Sequence, residues 1–454
     1  VQLKQFGTSI GGPIKKDKLF YFGSFEAQRY SVVAPRSAQA PTTQFLTGST
    51  ANSNSLPAAI AAMNAAGRPV SQLSLNLAGC TNNGSTNGAS ISCDAANGVF
   101  GNSSSSSAVT SAFPTEGGSN NFIIKLDYNL SARHILHGEY YYGSGSFLAQ
   151  TAPILQPYWR SSIHARAQVV RAVWAWIPNS TWVNEFRFGF ERILQARLSA
   201  DCNPGVNGAP DYAKLGFVTG VPSTELTCGL PPISITGFGG IGSSENGYPL
   251  VTYPQAVDSV SYTHGNHLIK FGGEVRFNNF QATNSGGPKG ALSFGTIAAF
   301  AGATPLQSFL SGTLSNSTLG IGDPARAIKW QSYGGFIQDD WRITPRVTLN
   351  LGLRYEIQTP AWNENNNLLG NFSPGSATGL VQQSGGALTK TDWNNLAPRF
   401  GVAWDITGKS TTVLRGGIGK YYVSDIAQWV FSAITPHTNP TGATLFMING
   451  STVQ

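Results

Sequence analysis

Charge is scarce in this sequence. Lys, Arg, Asp and Glu make up 11% of its 454 residues, less than half the share of about 25% found in soluble domains. A charge-swollen disordered chain is therefore excluded, and the 41% of hydrophobic residues excludes it again. No apolar run approaches the ~18 residues of a membrane helix, so helical membrane proteins are excluded too. Cysteines number four and histidines six, too few for a disulfide-dense scaffold or a histidine-rich metal tract. The 53 Gly and 25 Pro stay below the low-complexity range. What is abundant is aromatic: 25 Phe, 15 Tyr and 10 Trp. The net charge of +7 comes from dispersed Lys and Arg, with one local group at Lys15, Lys16 and Lys18, and this is no nucleic-acid footprint.

Period-2 alternation recurs along the chain, the mark of half-buried strands. Phe122, Ile124, Leu126 and Tyr128 alternate with Ile123, Lys125, Asp127 and Asn129. Trp182, Phe186, Phe188 and Phe190 share a face broken by Asn184, and Val183, Glu185, Arg187, Gly189 and Glu191 occupy the other. Ile269, Phe271, Val275 and Phe277 oppose Lys270, Glu274, Arg276 and Asn278. Val347, Leu349, Leu351, Leu353 and Tyr355 oppose Thr348, Asn350, Arg354 and Glu356. A one-residue slip would bring charges into the apolar layer, so the register is strongly specified.

Twelve strands are expected, at about 5–14, 18–30, 121–129, 134–144, 167–177, 181–192, 255–263, 267–280, 329–341, 346–357, 397–406 and 411–423. Short polar turns join them in pairs. Between the pairs lie long connections rich in Gly, Ser, Asn, Thr and Pro, at 31–120, 145–166, 193–254, 281–328 and 358–396. Short turns and long loops alternate strictly, strands are about ten residues long, and the charges of the strands quoted above share a face with their polar residues. This predicts an all-β fold, an antiparallel transmembrane β-barrel with short periplasmic turns and long extracellular loops. Tyr128, Trp176, Trp182, Trp341 and Trp404 all fall near short turns, where an interfacial aromatic girdle belongs. The candidate lumen-facing residues are Lys125, Asp127, Glu185, Arg187, Glu191, Lys270, Glu274, Arg276, Arg354 and Glu356. Residues solvating the barrel interior, rather than touching substrate, is the simpler role for them. Substrate recognition belongs to the outer loops. Those loops promise little regular structure: a short helix at 56–66, a helical turn at 304–310, and a mobile tip at the five-serine stretch within 101–107.

Catalysis finds no support in the sequence, and no metal or cofactor is expected. His134 and His137 stand three apart on one strand and so point to opposite faces. His264 and His267 flank a tight turn and read as solvated. The Gly-rich stretch 237–242 has dinucleotide-fingerprint spacing but no strand–helix unit around it, and reads as a flexible loop. Asp339 and Asp340 are adjacent on a strand and cannot share a proton. Cys80 and Cys93 share one long loop, and Cys202 and Cys228 share another. Of three possible connectivities, the two within-loop disulfides are favoured, because the others tie separate loops together.

Several hairpins also resemble a known family. Residues 6–14, Phe-Gly-Thr-Ser-Ile-Gly-Gly-Pro-Ile, with 18–26, Lys-Leu-Phe-Tyr-Phe-Gly-Ser-Phe-Glu, resemble the first barrel strands of TonB-dependent outer-membrane receptors of the Oar-like group. Residues 336–356, opening Phe-Ile-Gln-Asp-Asp-Trp, are similar to that group's most characteristic hairpin, and 395–404 with 414–422 to the next. The likeness touches nearly every hairpin and fades in the long loops. It implies a barrel of about 22 strands closed by a plug domain, and uptake energised by the TonB complex acting through that plug. On this resemblance the whole of 1–454 is partial barrel domain. A plug and a regulatory-like domain are expected ahead of Val1, with about ten more strands after Gln454. The implied partners are outer-membrane lipid, the TonB complex through a plug not present in this chain, and an unidentified nutrient at the extracellular loops. A passive porin or adhesin on the same barrel, or a soluble secreted β-rich binding protein, are the rival readings.

Overall fold

A computed structural model of the chain describes residues 1–149, 154–202, 205, 208–218, 223–243, 247–282, 289–295, 297–321, 326–363, 370–372, 380–382, 391–422 and 444–448. Its dominant element is one antiparallel sheet whose main path holds twelve strands in chain order. They are β1 Gln2–Lys15, β2 Leu19–Val32, β3 Thr115–Ser131, β4 His134–Ala149, β5 Ser161–Asn179, β6 Trp182–Ser199, β7 Leu250–His264, β8 His267–Ala282, β9 Arg326–Thr344, β10 Val347–Gln358, β11 Leu396–Asp405 and β12 Val413–Gly419. All twelve expected strands are present, and each pairs with its neighbours in sequence. Along this path β1 and β12 are the two edges and do not pair with each other, so the sheet is not closed among the described residues. The expected end of the last strand at Val423, and most of the long connection 358–396, lie outside the described residues.

Local chemistry fixes the short turns. At His264-Gly265-Asn266-His267, Gly265 takes φ of +55° and lets His264 and His267 face each other across a two-residue hairpin. At the first turn Asp17 sits at φ +60°, a conformation Asp tolerates better than most residues. The strands run longer than the alternation suggested: β5 and β9 reach 19 residues. At about 2.5 Å of height per residue in a strand tilted by about 40°, that length projects well past a ~25 Å apolar band.

Four of the long connections, 31–120, 145–166, 193–254 and 281–328, correct the expectation of little structure. They fold into a compact cap with its own apolar core. Leu56, Ile60, Met63, Leu75, Phe100, Trp159, Leu230, Ile235, Ile241, Leu306, Phe309 and Leu310 are all nearly solvent-free and belong to one cluster. Every member of that cluster lies outside the twelve strands. The cap contains α1 Ala51–Asn54, α2 Leu56–Ala65, α3 Gln72–Ala78 and α4 Pro305–Ser311. The Ser55 hydroxyl caps α2, and Thr304 with Gln307 forms a capping box on α4, with Pro305 at the start. Helix α3 was not foreseen. Its signals are Ser71 before it, whose hydroxyl accepts from Ser74, and Gly79 after it at φ +69°.

Two loop expectations fail in the same way. The serine stretch is no mobile tip: Asn102 is buried, its amide donates to the carbonyls of Ala40 and Ser106, and the Ser107 carbonyl accepts from Ala40 N. The 237–242 stretch is a packed turn, not a flexible loop. Ile241 is buried and exchanges both backbone hydrogen bonds with Ile233. In the serine stretch, polar side chains that bond nearby backbone gain further partners from the segment around Ala40.

Candidate functional site

Register places every candidate lumen residue on one face of the sheet. Lys125 pairs across to Glu139 and Asp127 to His137, Glu185 and Arg187 lie opposite Ala175 and Val173, and Glu191 opposite Val169. Lys270 pairs with Gln338, Glu274 with Gly334, Arg276 with Ser332, Arg354 with Phe336, and Glu356 with Gly334. Directly paired side chains share a face, so the ten form one charged surface.

That surface is built from ion pairs both between strands and along them. Arg354 bridges β8 and β10, with Nη2 2.5 Å from Glu274 Oε1 and Nε bonded to Glu356. Lys125 lies 3.4 Å from Glu139, whose other oxygen is 3.7 Å from Arg171. Arg187 bonds Glu185, and His137 Nδ1 is 2.6 Å from Asp127 Oδ1. Around Arg354 opens a cavity of about 420 Å³ lined by Glu274, Arg276, Ser332, Glu356 and Arg399. Its mixture of three guanidinium and two carboxylate groups can hold polar or zwitterionic groups by paired, charge-assisted hydrogen bonds. Glu139, Arg171 and Arg399 were missed in the sequence. Only the hairpin register, which sets Glu139 opposite Lys125, could have found the first.

The opposite face is apolar and half-exposed. Phe122, Leu126, Phe186, Phe188, Phe271, Ile337, Leu351, Leu353 and Phe400 each show 38–52% of their surface. Near the short turns this face gathers aromatic rings, including the expected Tyr128, Trp176, Trp182, Trp341 and Trp404. Trp182 packs on Tyr262 at 4.4 Å between centroids, and His267 stacks on Trp341 at 5.2 Å. His134 is sandwiched with Trp174 and Trp176, and Trp174 Nε1 donates to its Nδ1 at 3.1 Å. The histidines read as solvated are therefore partnered: His267 Nδ1 also lies 2.8 Å from Asp339 Oδ2. Asp340, on the other face, accepts from Asn350.

The cap brings the cysteines together. Cys80 bonds Cys93 across a two-residue ladder, and Cys202 bonds Cys228, both within their own loops. A groove of about 880 Å³ runs past the first bridge, lined by Asn76, Asn97, Gln156, Tyr158 and Lys214. Beneath the second, Asp201 is a buried hub. Its carboxylate accepts from Tyr212 OH at 3.0 Å, Leu230 N at 2.8 Å and Ser243 Oγ at 2.8 Å. Lys289, 2% exposed, donates to Ser243 Oγ at 2.6 Å and Ser199 Oγ at 3.0 Å. Burial lowers its pKa to about 8, against the opposing pull of Asp201. Burial, then Asp201, pushes the Tyr158 and Tyr212 phenols well above their usual range. No local pattern announces this hub, because its members come from three separate connections.

The family model described as outer membrane beta barrel domain matches residues 1–451. None of the curated proteins matches. Among solved structures, the outer membrane transporter YddB from Escherichia coli is similar at a TM-score of 0.50 and 11% identity, over 93% of this chain and 39% of that one. A mutant of the ferric enterobactin receptor PfeA from Pseudomonas aeruginosa follows at 0.42 and 10%, over 92% and 41%. The ferric yersiniabactin uptake receptor FyuA from Yersinia pestis stands at 0.37 and 7%, over 89% and 42%. The chain spans about two fifths of the length of these solved chains.

Proposed function

The chain belongs to the outer membrane beta barrel domain family, and we propose from that membership that it forms part of the wall of a TonB-dependent receptor for a nutrient. The observation that carries this reading is the two-faced sheet. Its apolar face with turn-end rings suits lipid, and its charged face, ion-paired around Arg354, suits a wet interior against which a plug can rest. The apolar-face residues are thereby assigned to lipid and the ten charged residues to the lumen. The folded cap adds a preformed extracellular surface, and its groove beside Cys80–Cys93 is where a nutrient would first dock. No enzymatic step is assigned to it. The motifs at 6–14, 18–26 and 336–356 favour the energised reading over a passive pore.

Planar-bilayer recording on the protein at its full natural length tests the reading, together with retention on an immobilised periplasmic domain of TonB. A receptor gives no steady open channel and is retained. A stable ohmic conductance without retention would assign the chain to a passive pore.

A further inference from the structure

The apolar face carries a second, cationic band at the strand ends far from the short turns. Register sets Lys4, Arg29, Gly118, Ser146, His164 and Ala196 in one transverse row across β1 to β6. The next row toward the turns holds Asn120, Ser144 and Arg166. Between the cationic flanks stand only small residues and one amide, and there the surface dips into a cavity of about 880 Å³. Arg29, Gly118, Asn120, Ser144, Ser146 and His164 line it, with Glu116 the one carboxylate among the described lining residues. Arg29 is held on the rim: Nη1 donates to the Ser119 carbonyl at 2.9 Å and Nη2 to Asn120 Oδ1 at 2.8 Å. His164 Nε2 lies 3.0 Å from Ser162 Oγ on the far rim.

Position and size identify what fits. Arg29 stands eleven residues past Lys18, about 28 Å above the turns at ~2.5 Å of height per residue, at the upper border of a ~25 Å apolar band. Phe25, Phe122 and Tyr142 form the row just beneath Asn120 and Ser144, where acyl chains would begin. Strands β2 and β5 are three ladder spacings apart, so the Arg29 and His164 flanks are separated by about 14 Å. Two cationic ends that far apart, with hydroxyls and an amide between them, match a sugar core carrying an anion at each end.

We propose that this groove binds the doubly phosphorylated sugar headgroup of an outer-leaflet lipid. Lys4 and Arg29 take one phosphate, His164 and Arg166 take the other, and Asn120, Ser144 and Ser146 meet the sugar hydroxyls. The assignment rests on the apolar face meeting lipid.

The protein at full natural length, purified from outer membranes in mild detergent, is exposed to diphosphoryl lipid A, its dephosphorylated form, phosphatidylglycerol and inorganic phosphate. Retained lipid is read by native mass spectrometry. Diphosphoryl lipid A is expected to be retained, and the paired substitution Arg29→Gln and Arg166→Gln to weaken retention by about tenfold or more. Arg29→Lys with Arg166→Lys regains most of it, and Lys409→Gln, on a turn, leaves it unchanged. Wild-type retention by the paired Gln variant would overturn the groove, as would equal retention of phosphatidylglycerol or full displacement by millimolar phosphate. Labelling of Phe188→Cys by a lipid-soluble maleimide in the same preparation separates the two ideas. No labelling sinks the facing assignment, whereas normal labelling without lipid retention sinks only the groove.

Discussion

The sheet and the cap solve the same problem with opposite geometry. In the sheet, Phe188 and Leu351 show 39% and 38% of their surface and the charged side chains gather on the other face. In the cap, Phe309 and Leu56 show 1% and 0%, and a buried charge such as Asp201 is held by hydrogen bonds from Tyr212, Leu230 and Ser243. The difference teaches that the two regions answer to different solvents. A sheet face bordered by lipid has no reason to hide its apolar side chains. A loop layer in water must build a core, and here it does so from four connections stapled by two disulfides.

Mutation should separate the two regions sharply. Phe309→Ala removes a ring that stacks edge-on against Phe100 at 5.6 Å and Phe294 at 5.4 Å in the middle of the cap core. It should cost the cap about 3–5 kcal/mol while the barrel keeps its resistance to heat and detergent on gels. Limited proteolysis reads the first effect and gel mobility the second. If cap and barrel unfold together in this variant, the two regions are one cooperative unit and the comparison breaks.

Phe188→Arg and Leu351→Arg reverse the experiment in the sheet. Each places a cation on the apolar face near mid-height and should cost about 2–4 kcal/mol, read by denaturant unfolding of the lipid-reconstituted protein. Arg187→Gln, one residue along on the charged face, removes half of a part-exposed ion pair with Glu185 and should cost under about 1 kcal/mol. Equal costs at 187 and 188 would erase the distinction between the faces.

How much of this was readable follows from the same contrast. Strand alternation is a local signal, so residues such as Lys125, Arg187 and Glu274 could be assigned to one face from sequence, and all twelve strands stand where the pattern puts them. Helix α2 was visible because Ser55, Pro57 and an Ala-rich run are adjacent in the chain. The cap as a whole was not. Ser74 Oγ donates to the Phe309 carbonyl across 235 positions, and no window of sequence contains both. The partners of Arg354 were half visible, since Glu356 lies on its own strand but Glu274 is 80 positions away.

Reduction sharpens the comparison further. The bridges close segments of 13 and 26 residues, both within the cap. On the chain-entropy model each stabilises its loop by about 3 kcal/mol. Mild reductant should expose the cap to protease and leave the sheet intact. Loss of barrel heat-resistance on reduction would show that the cap props up the wall.

The least direct effect is a pH dependence confined to the cap. Lys289 has its pKa lowered from 10.5 to about 8 by burial. Below pH 8 it is protonated in folded and unfolded states alike, and the cost of the buried charge is fully present. Between pH 8 and 10.5 the unfolded chain binds a proton that the folded cap does not, so stability rises with pH. Above pH 10 the raised Tyr158 and Tyr212 phenols act the other way, because the unfolded chain loses protons that the folded cap keeps. The window from pH 8 to 10 therefore belongs to Lys289, with a gain of at most about 2 kcal/mol. Hydrogen exchange of cap amides, corrected for the intrinsic pH dependence of exchange, should show greater protection at pH 9.5 than at pH 7.5, and strand amides should show none. Lys289→Met should flatten the cap response. A dependence that survives this substitution would move its origin away from the hub around Asp201, and one shared by the strands would mean that the cap and the wall titrate as a single body.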